Sequence, residues 1–338
     1  MVEPKLEKKL KNLITPANDW KDDPNDFEST GIISLDIGLV KGGFRKGRFV
    51  EGYGEEHTGK TLSTMLAIAW NQKKKEERSL FIDAEGSIDI SWFKNMGGNL
   101  GLLDIYDPFK TKTVCGEEVF NNSLDLIETG RYRFAVIDSL MGAALLSQEL
   151  KKKDLGDTER MGAQAKLNKA FFQRAFIICK QTDTILLVTN HLMESMGIKW
   201  GNPETTPGGK LLKMYAEQRL KYQNPNSKAS AKTELGHKVR IKIIKNKRGA
   251  SAGKEVDFWL DYYRGVDNYK EMGELMRKKG LIGKKEVDDF IKTVRTDEKL
   301  YDLSRLQLIE NAQKEIQDRV EEVEDDIEVT DDFEETTD

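Results

Sequence analysis

The sequence predicts an α/β protein: a mostly parallel sheet flanked by helices, with an antiparallel extension, a short N-terminal helix, a small C-terminal domain and an acidic tail. Three observations predict it. From about residue 31 to residue 266, short and almost continuously apolar runs alternate with longer helical patterns, as in a sheet covered on both faces. A glycine-rich turn ending in Gly59-Lys60-Thr61 stands between one such run and one such helix. Two later runs, HKVRIKIIKNK (237–247) and EVDFWLDYY (255–263), alternate polar with apolar residues and have no helix between them, as neighbouring antiparallel strands do.

Taken in chain order, residues 5–14 read as a short amphipathic helix, with Leu6, Leu10, Leu13 and Ile14 on one face. A helix this short is marginal alone and needs a surface, in this chain or in a neighbour. Residues 15–30 hold two prolines and many turn formers and read as a linker. Strands are expected at RFVEGY (48–53), SLFIDA (79–84), LLDIYD (102–107), FAVIDS (134–139) and TILLVTNH (184–191). Helices are expected at 61–75, 116–129 and 161–181. The boundaries that follow are 1–30 for the N-terminal helix and linker, 31–266 for the core and 267–317 for the C-terminal domain. Residues 318–338 form a disordered acidic tail.

That tail holds twelve Asp/Glu and one Arg, a local charge of −11. The chain as a whole carries −4, so the remainder carries +7. A mildly basic body with an acidic tail suits a nucleic-acid binder whose tail competes with the polyanion. A solvated tail without a role fits the same charges. No apolar run approaches the roughly 20 residues of a membrane span, and the N-terminus is charged, without an apolar secretion segment. Cys115 and Cys179 stand far apart, and His57, His191 and His237 are scattered. Neither a disulfide framework nor a zinc site is expected, and a reducing cytoplasm is the expected location.

The strongest local signal is Gly54-Glu55-Glu56-His57-Thr58-Gly59-Lys60-Thr61, which fits G-x-x-x-x-G-K-[ST] between a strand and a helix. Glycines let successive backbone N–H groups surround one phosphate chain, and the following helix aims its positive end at the same anion. Lys60 is placed to bridge the β- and γ-phosphates of ATP, and the Thr61 hydroxyl to ligate Mg²⁺. Asp138 ends the run FAVIDS and is the expected second ligand. Glu85, at the end of SLFIDAEG, is a candidate base for the attacking water, and Asp83 competes with it.

Beyond these motifs, STGIISLDIGLVKGGFRKGRFVEGYGEEHTGKT (29–61) resembles the entry to the ATPase core of the RecA family. FIDAEGSID (81–89), VIDS (136–139), MGIKWGNPETTPGGK (196–210), KMYAEQRL (213–220) and KIIKNK (242–247) follow in that family's order and near its spacing. The resemblance covers roughly residues 29–266, and GNPETTPGG and KNK discriminate it from other phosphate-loop ATPases. It implies a DNA-dependent ATPase that polymerises as a helical homo-oligomer on single-stranded DNA and exchanges strands with a homologous duplex. Glu85 would activate water, Asp138 would be the Walker B acid, and Trp92 would stack on adenine. Lys245 and Lys247 would reach a neighbouring subunit's γ-phosphate, which would make hydrolysis depend on assembly. Two loops would contact DNA: the first near 149–162, with Arg160, Met161, Gly162 and the nearby Lys166, and the second near 193–210. In the second, Met196 would wedge between bases, and Gly208, Gly209 and Lys210 would meet phosphates. The N-terminal helix and Met214 would lie at the protomer interface, and the acidic tail would be autoinhibitory.

Three departures from the family pattern stand out. His191 follows Asn190 where cellular members have glutamine, and its charge can change near neutral pH. The phosphate loop is more acidic than usual, which weakens nucleotide binding unless those groups turn away. Met193 and Ser195 replace commonly basic positions, so fewer phosphate contacts and a shallower salt dependence are expected. Two alternatives stay open: a mediator filament that binds ATP and DNA without exchanging strands, and a ring helicase on the same core.

Overall fold

The computed structural model describes residues 23–113, 115–145, 163–194, 204–225, 235–249 and 251–331. The expected helix at 5–14, the first loop at 149–162 and residues 195–203 of the second loop lie outside the described residues.

The described chain begins where a linker was expected, yet that segment is built into the fold. β1 (Phe27–Glu28) pairs antiparallel with β2 (Phe44–Arg45) around α1 (Ile33–Gly38). Glu28 is buried and receives the ammonium groups of Lys75 at 2.6 Å and Lys46 at 3.3 Å. β3 (Phe49–Gly54) then leads through the phosphate loop into α2 (Lys60–Lys75). β4 (Ser79–Asp83), α3 (Ile90–Asn95), β5 (Leu103–Tyr106), α4 (Gly116–Glu128) and β6 (Phe134–Asp138) continue the alternation. The short α5 (Leu140–Leu145), α6 (Ala163–Thr182) and β7 (Ile185–His191) complete the parallel part. A small antiparallel pair, β8 (Met193–Glu194) with β9 (Glu204–Thr205), flanks the second-loop segment and is followed by α7 (Gly209–Tyr215). β10 (Gln218–Gln223), β11 (Gly236–Asn246) and β12 (Glu255–Asp261) finish the sheet.

The eight strands lie in the order β12-β11-β10-β3-β7-β6-β4-β5. Every pair from β10 to β5 is parallel, while β10–β11 and β11–β12 are antiparallel. The expected α/β architecture with its antiparallel extension is therefore the observed one. Its cause is visible in the packing. Val50, Phe81, Val136, Leu187 and Leu220 face α2 and its Leu62, Met65 and Ile68. Phe49, Leu80, Ile82, Ile137 and Val188 face α4 and α6, with Val119, Phe120, Phe171 and Phe172. A strand apolar on both faces needs a helix layer on each.

The C-terminal segment forms α8 (Asn268–Lys278), α9 (Val287–Thr296) and α10 (Glu298–Asp331). Its core residues Met272, Met276, Val294, Tyr301, Leu308 and Ile309 cluster with Ile33 and Ile37 of α1. The C-terminal helices thus share a core with the segment that precedes β3. Residues 318–331, expected to be disordered, continue α10 as helix. The segment continues a helix already begun at Glu298, and the Gln317 side chain donates to Glu321 one turn on. Among the described residues no helix is long and apolar enough to cross a membrane.

Candidate functional site

The phosphate loop is shaped by what surrounds it. A Cβ on Gly54 would come within 2.2 Å of the Tyr222 carbonyl oxygen, because β10 pairs alongside this end of β3. Gly59 caps α2 at φ +89, and a Cβ there would meet Leu260 at 2.9 Å. Thr58 Oγ1 donates to the Glu55 carbonyl at 2.8 Å and closes the turn. The Lys60 ammonium donates to the carbonyls of Gly54 (3.1 Å) and Glu55 (2.6 Å). Burial lowers its pKa, against the raising charges of Asp138 and Glu85. Glu55, Glu56 and His57 are exposed, but Glu56 and His57 line the cleft and the Glu56 and Glu55 charges act on Lys60, so the loop's extra acidity stays beside the anion position.

Opposite the loop, the ends of β4, β6 and β7 converge. Thr61 Oγ1 donates to Asp138 Oδ2 at 2.7 Å, and Thr189 donates to Asp138 Oδ1. Burial raises the Asp138 carboxyl despite those two bonds, and the charges of Glu85 and Asp83 add to the rise. Ser139 donates to Glu85 Oε1, and His191 Nε2 lies 2.8 Å from the same oxygen. Burial disfavours the Glu85 carboxylate, but the Ser139 and His191 bonds and the Lys60 charge outweigh it and hold the group below its ordinary pKa. Asp83 is disposed differently. It is buried, and its oxygens accept the backbone N–H groups of Ser87 (3.0 Å) and Ile88 (3.2 Å). Asp83 shapes the turn, and Glu85 faces the cleft.

The cleft over these groups has a volume of about 670 Å³. Trp92, 37% exposed, forms part of its wall, while its neighbour Phe93 is fully buried. The Asp89 side chain caps α3 by accepting the amide of Ser91 at 2.8 Å, which fixes this division. Among the wall residues missed in the sequence are His237, Tyr262 and Tyr263. His237 Nδ1 lies 2.9 Å from the Tyr262 hydroxyl. They come from β11 and the end of β12, and only the antiparallel extension brings them beside the phosphate loop.

Other expected residues lie elsewhere. Lys245 Nζ donates to the carbonyls of Lys213 (2.6 Å) and Met214 (3.1 Å) at the end of α7, and Lys247 is exposed. Neither lines this chain's own cleft. Met214 is 55% exposed on α7. Of the expected DNA contacts, Arg160, Met161, Gly162 and Met196 lie outside the described residues. Lys166 and Lys210 are exposed. Gly209 has open space where a Cβ would stand. Gly208 does not: a Cβ would meet Leu140 and Leu212, each at 2.9 Å. Its glycine serves packing at the start of α7 as well as backbone conformation (φ +99).

The family model described as the RecA N-terminal domain matches residues 6–267. Protein RecA from Francisella tularensis subsp. novicida (strain U112) and that from Francisella tularensis subsp. tularensis (strain WY96-3418) are similar to this chain. Each is 34% identical over 259 residues, spanning 77% of this chain and 69% of the relative. Among solved structures, the crystal structure of the RadB recombinase superposes with a TM-score of 0.52 at 17% identity, covering 70% of this chain and 97% of that one. At that identity the likeness concerns the fold.

Proposed function

The chain belongs to the RecA family, and from that premise we propose that it is a DNA-dependent ATPase that assembles on single-stranded DNA and pairs it with a homologous duplex. The observation that carries the reading is the convergence of Thr61–Asp138 and Glu85 on one cleft above Lys60. ATP lies with its phosphates on the loop amides and Lys60, and its base against Trp92. The Thr61 hydroxyl and the Asp138 carboxylate are hard oxygen donors side by side at the cleft, which suits Mg²⁺ retaining its waters. Such an ion would supply charge neutralisation to the phosphates. Glu85 is ionised at neutral pH, orients the attacking water and takes its proton. His191 holds the Glu85 carboxylate from the side. Lys245 and Lys247, remote from their own cleft, serve the neighbouring protomer's γ-phosphate. Lys166, Gly209 and Lys210, with the loop residues Arg160, Met161, Gly162 and Met196, face the strand.

One observation favours a second reading. His191 already occupies an oxygen of Glu85, and a filament that binds ATP and DNA but hydrolyses slowly would show the same contact. ATP turnover with and without single-stranded DNA, followed by imaging of the product, separates the two. Strong stimulation, helical filaments and joint-molecule formation are expected. Lys245→Ala/Lys247→Ala is expected to lower stimulated turnover by roughly 10²-fold or more, as loss of a group delivered in trans does, with nucleotide affinity nearly unchanged. An isolated protomer turning over at full rate without DNA would overturn the proposal.

A further inference from the structure

Glu51 sits on β3, three residues before the glycine that opens the phosphate loop, and its side chain is 0% exposed. In register it stands opposite Arg219 of β10 on one side and Val188 of β7 on the other. Arg219 Nε donates to Glu51 Oε2 at 2.5 Å. The other oxygen accepts Asn190 Nδ2 at 3.1 Å, and the same amide nitrogen donates to the Pro207 carbonyl at 2.8 Å. Asn190 Oδ1 accepts the backbone N–H of His191 at 3.2 Å. Arg219 also reaches Thr206 Oγ1 at 3.5 Å, with its guanidinium 4.9 Å from the Tyr53 ring centroid.

A buried ion pair adds little to stability over an apolar pair of the same volume, and its best-attested use is to fix one arrangement. The arrangement fixed here is specific. One enclosed carboxylate joins the strand that feeds the phosphate loop, the strand end that carries His191, and Thr206–Pro207, where the chain leaves the second-loop segment. His191 in turn touches Glu85. The links between Thr206–Pro207 and His191 are directed hydrogen bonds between buried or part-buried groups, so displacement there is carried to His191; the last contact, His191 with Glu85, lies at the open cleft.

We infer that Glu51 and Arg219 are positioning residues that couple strand binding at the second loop to the Glu85–His191 pair. The inference rests on the ATPase reading above. Neither side chain lines the nucleotide cleft. They hold Asn190 and Thr206–Pro207 in one frame, so that occupation of the loop sets where His191 holds Glu85.

The test is steady-state turnover of Glu51→Gln/Arg219→Gln, which keeps hydrogen-bonding partners but removes both charges, beside wild type. ATP KM and DNA-independent turnover are expected within about twofold of wild type, and DNA-stimulated kcat at least about tenfold lower, within the range of coupling between sites. Arg219→Lys keeps the charge but loses the fork that spans Glu51 and Thr206. It secures the test if the double variant folds poorly, and a loss of stimulation of about threefold or more at unchanged KM is expected. Unchanged stimulation in either folded variant overturns the inference. So does a rise in KM together with falls in basal turnover and Tm, which marks a structural role. If wild type itself shows no stimulation, the ATPase reading falls and this inference with it; stimulated wild type with equally stimulated variants sinks the coupling alone.

Discussion

Glu85 is a carboxyl pulled two ways, and the balance is measurable. Burial raises its pKa, while the hydrogen bonds from Ser139 and His191 and the Lys60 charge lower it, with a net depression. A depressed carboxyl is ionised above its folded pKa and loses function as pH falls through that value. Removing His191 deletes both a hydrogen bond and a charge that favour ionisation. His191→Ala is therefore expected to move the acid limb of the kcat–pH profile upward, and an unmoved limb would show that the 2.8 Å contact has no electrostatic weight. Glu85→Gln is expected to lower kcat by roughly 10²–10⁴-fold with little change in ATP affinity by equilibrium binding. Motif spacing placed Lys60 and Thr61, because phosphate chemistry fixes their spacing in sequence, and Asp138 was read from its place at the end of the apolar run FAVIDS. Spacing left Asp83 and Glu85 tied, since both close the same strand. The tie is broken by the amides of Ser87 and Ile88, which occupy Asp83, and a backbone conformation of that kind leaves no mark in residue type.

At the scale of elements, α8 carries a group that opposes its own ionisation. Glu271 Oε2 is enclosed without a hydrogen-bond partner, and burial lifts the carboxyl from 4.5 to about 7. A raised folded pKa means that its contribution to stability is fully present below about 4.5 and is lost as pH rises through about 7. Glu271→Gln, neutral throughout, is expected to raise Tm relative to wild type at about pH 8 and to lose that advantage in acid, by thermal melts across pH. An advantage independent of pH would exclude ionisation as its cause. The strands were legible where burial on both faces left unbroken apolar runs, as in β4, β6 and β7. β10 was not: QRLKYQ is short, alternating and half polar, and it lies inside the sheet because β3 and β11 flank it. The end of α10 also differs from its expectation: a run of like charge signals disorder, and its residue types do not announce the helix that runs on to Asp331.

For the whole molecule, charge is divided along the chain and the division has a consequence for binding. Truncation after Gln317 removes the −11 segment from a body of +7 and leaves the anchors from Gln313 to the Val40 carbonyl and from Glu315 to Lys279. The truncated chain is expected to bind single-stranded DNA severalfold more tightly at low salt. That gain should shrink toward zero at high salt, where charges more than about 3–8 Å apart are screened, as measured by anisotropy titrations. A gain that persists at high salt would assign the tail a steric role. Topology, unlike charge, hid residues from sequence reading: His237, Tyr262 and Tyr263 reach the cleft only because β11 and β12 fold back beside β10. α2 shows how far apart two ends of one piece can be put to use. It has 16 residues, about 24 Å of rise at 1.5 Å per residue. Its first residue is Lys60 of the phosphate loop. Near its last turns, Trp70 packs at a tilt against Tyr301 with centroids 5.4 Å apart, and Lys74 binds Glu298 and Asp302 of α10. The helix is thus a rigid axle with the anion at one end and the C-terminal layer bolted to the other. A fluorophore on the outer face of α10 would feel any tilt of that axle, giving a remote gauge of events in the cleft that leaves the cleft untouched.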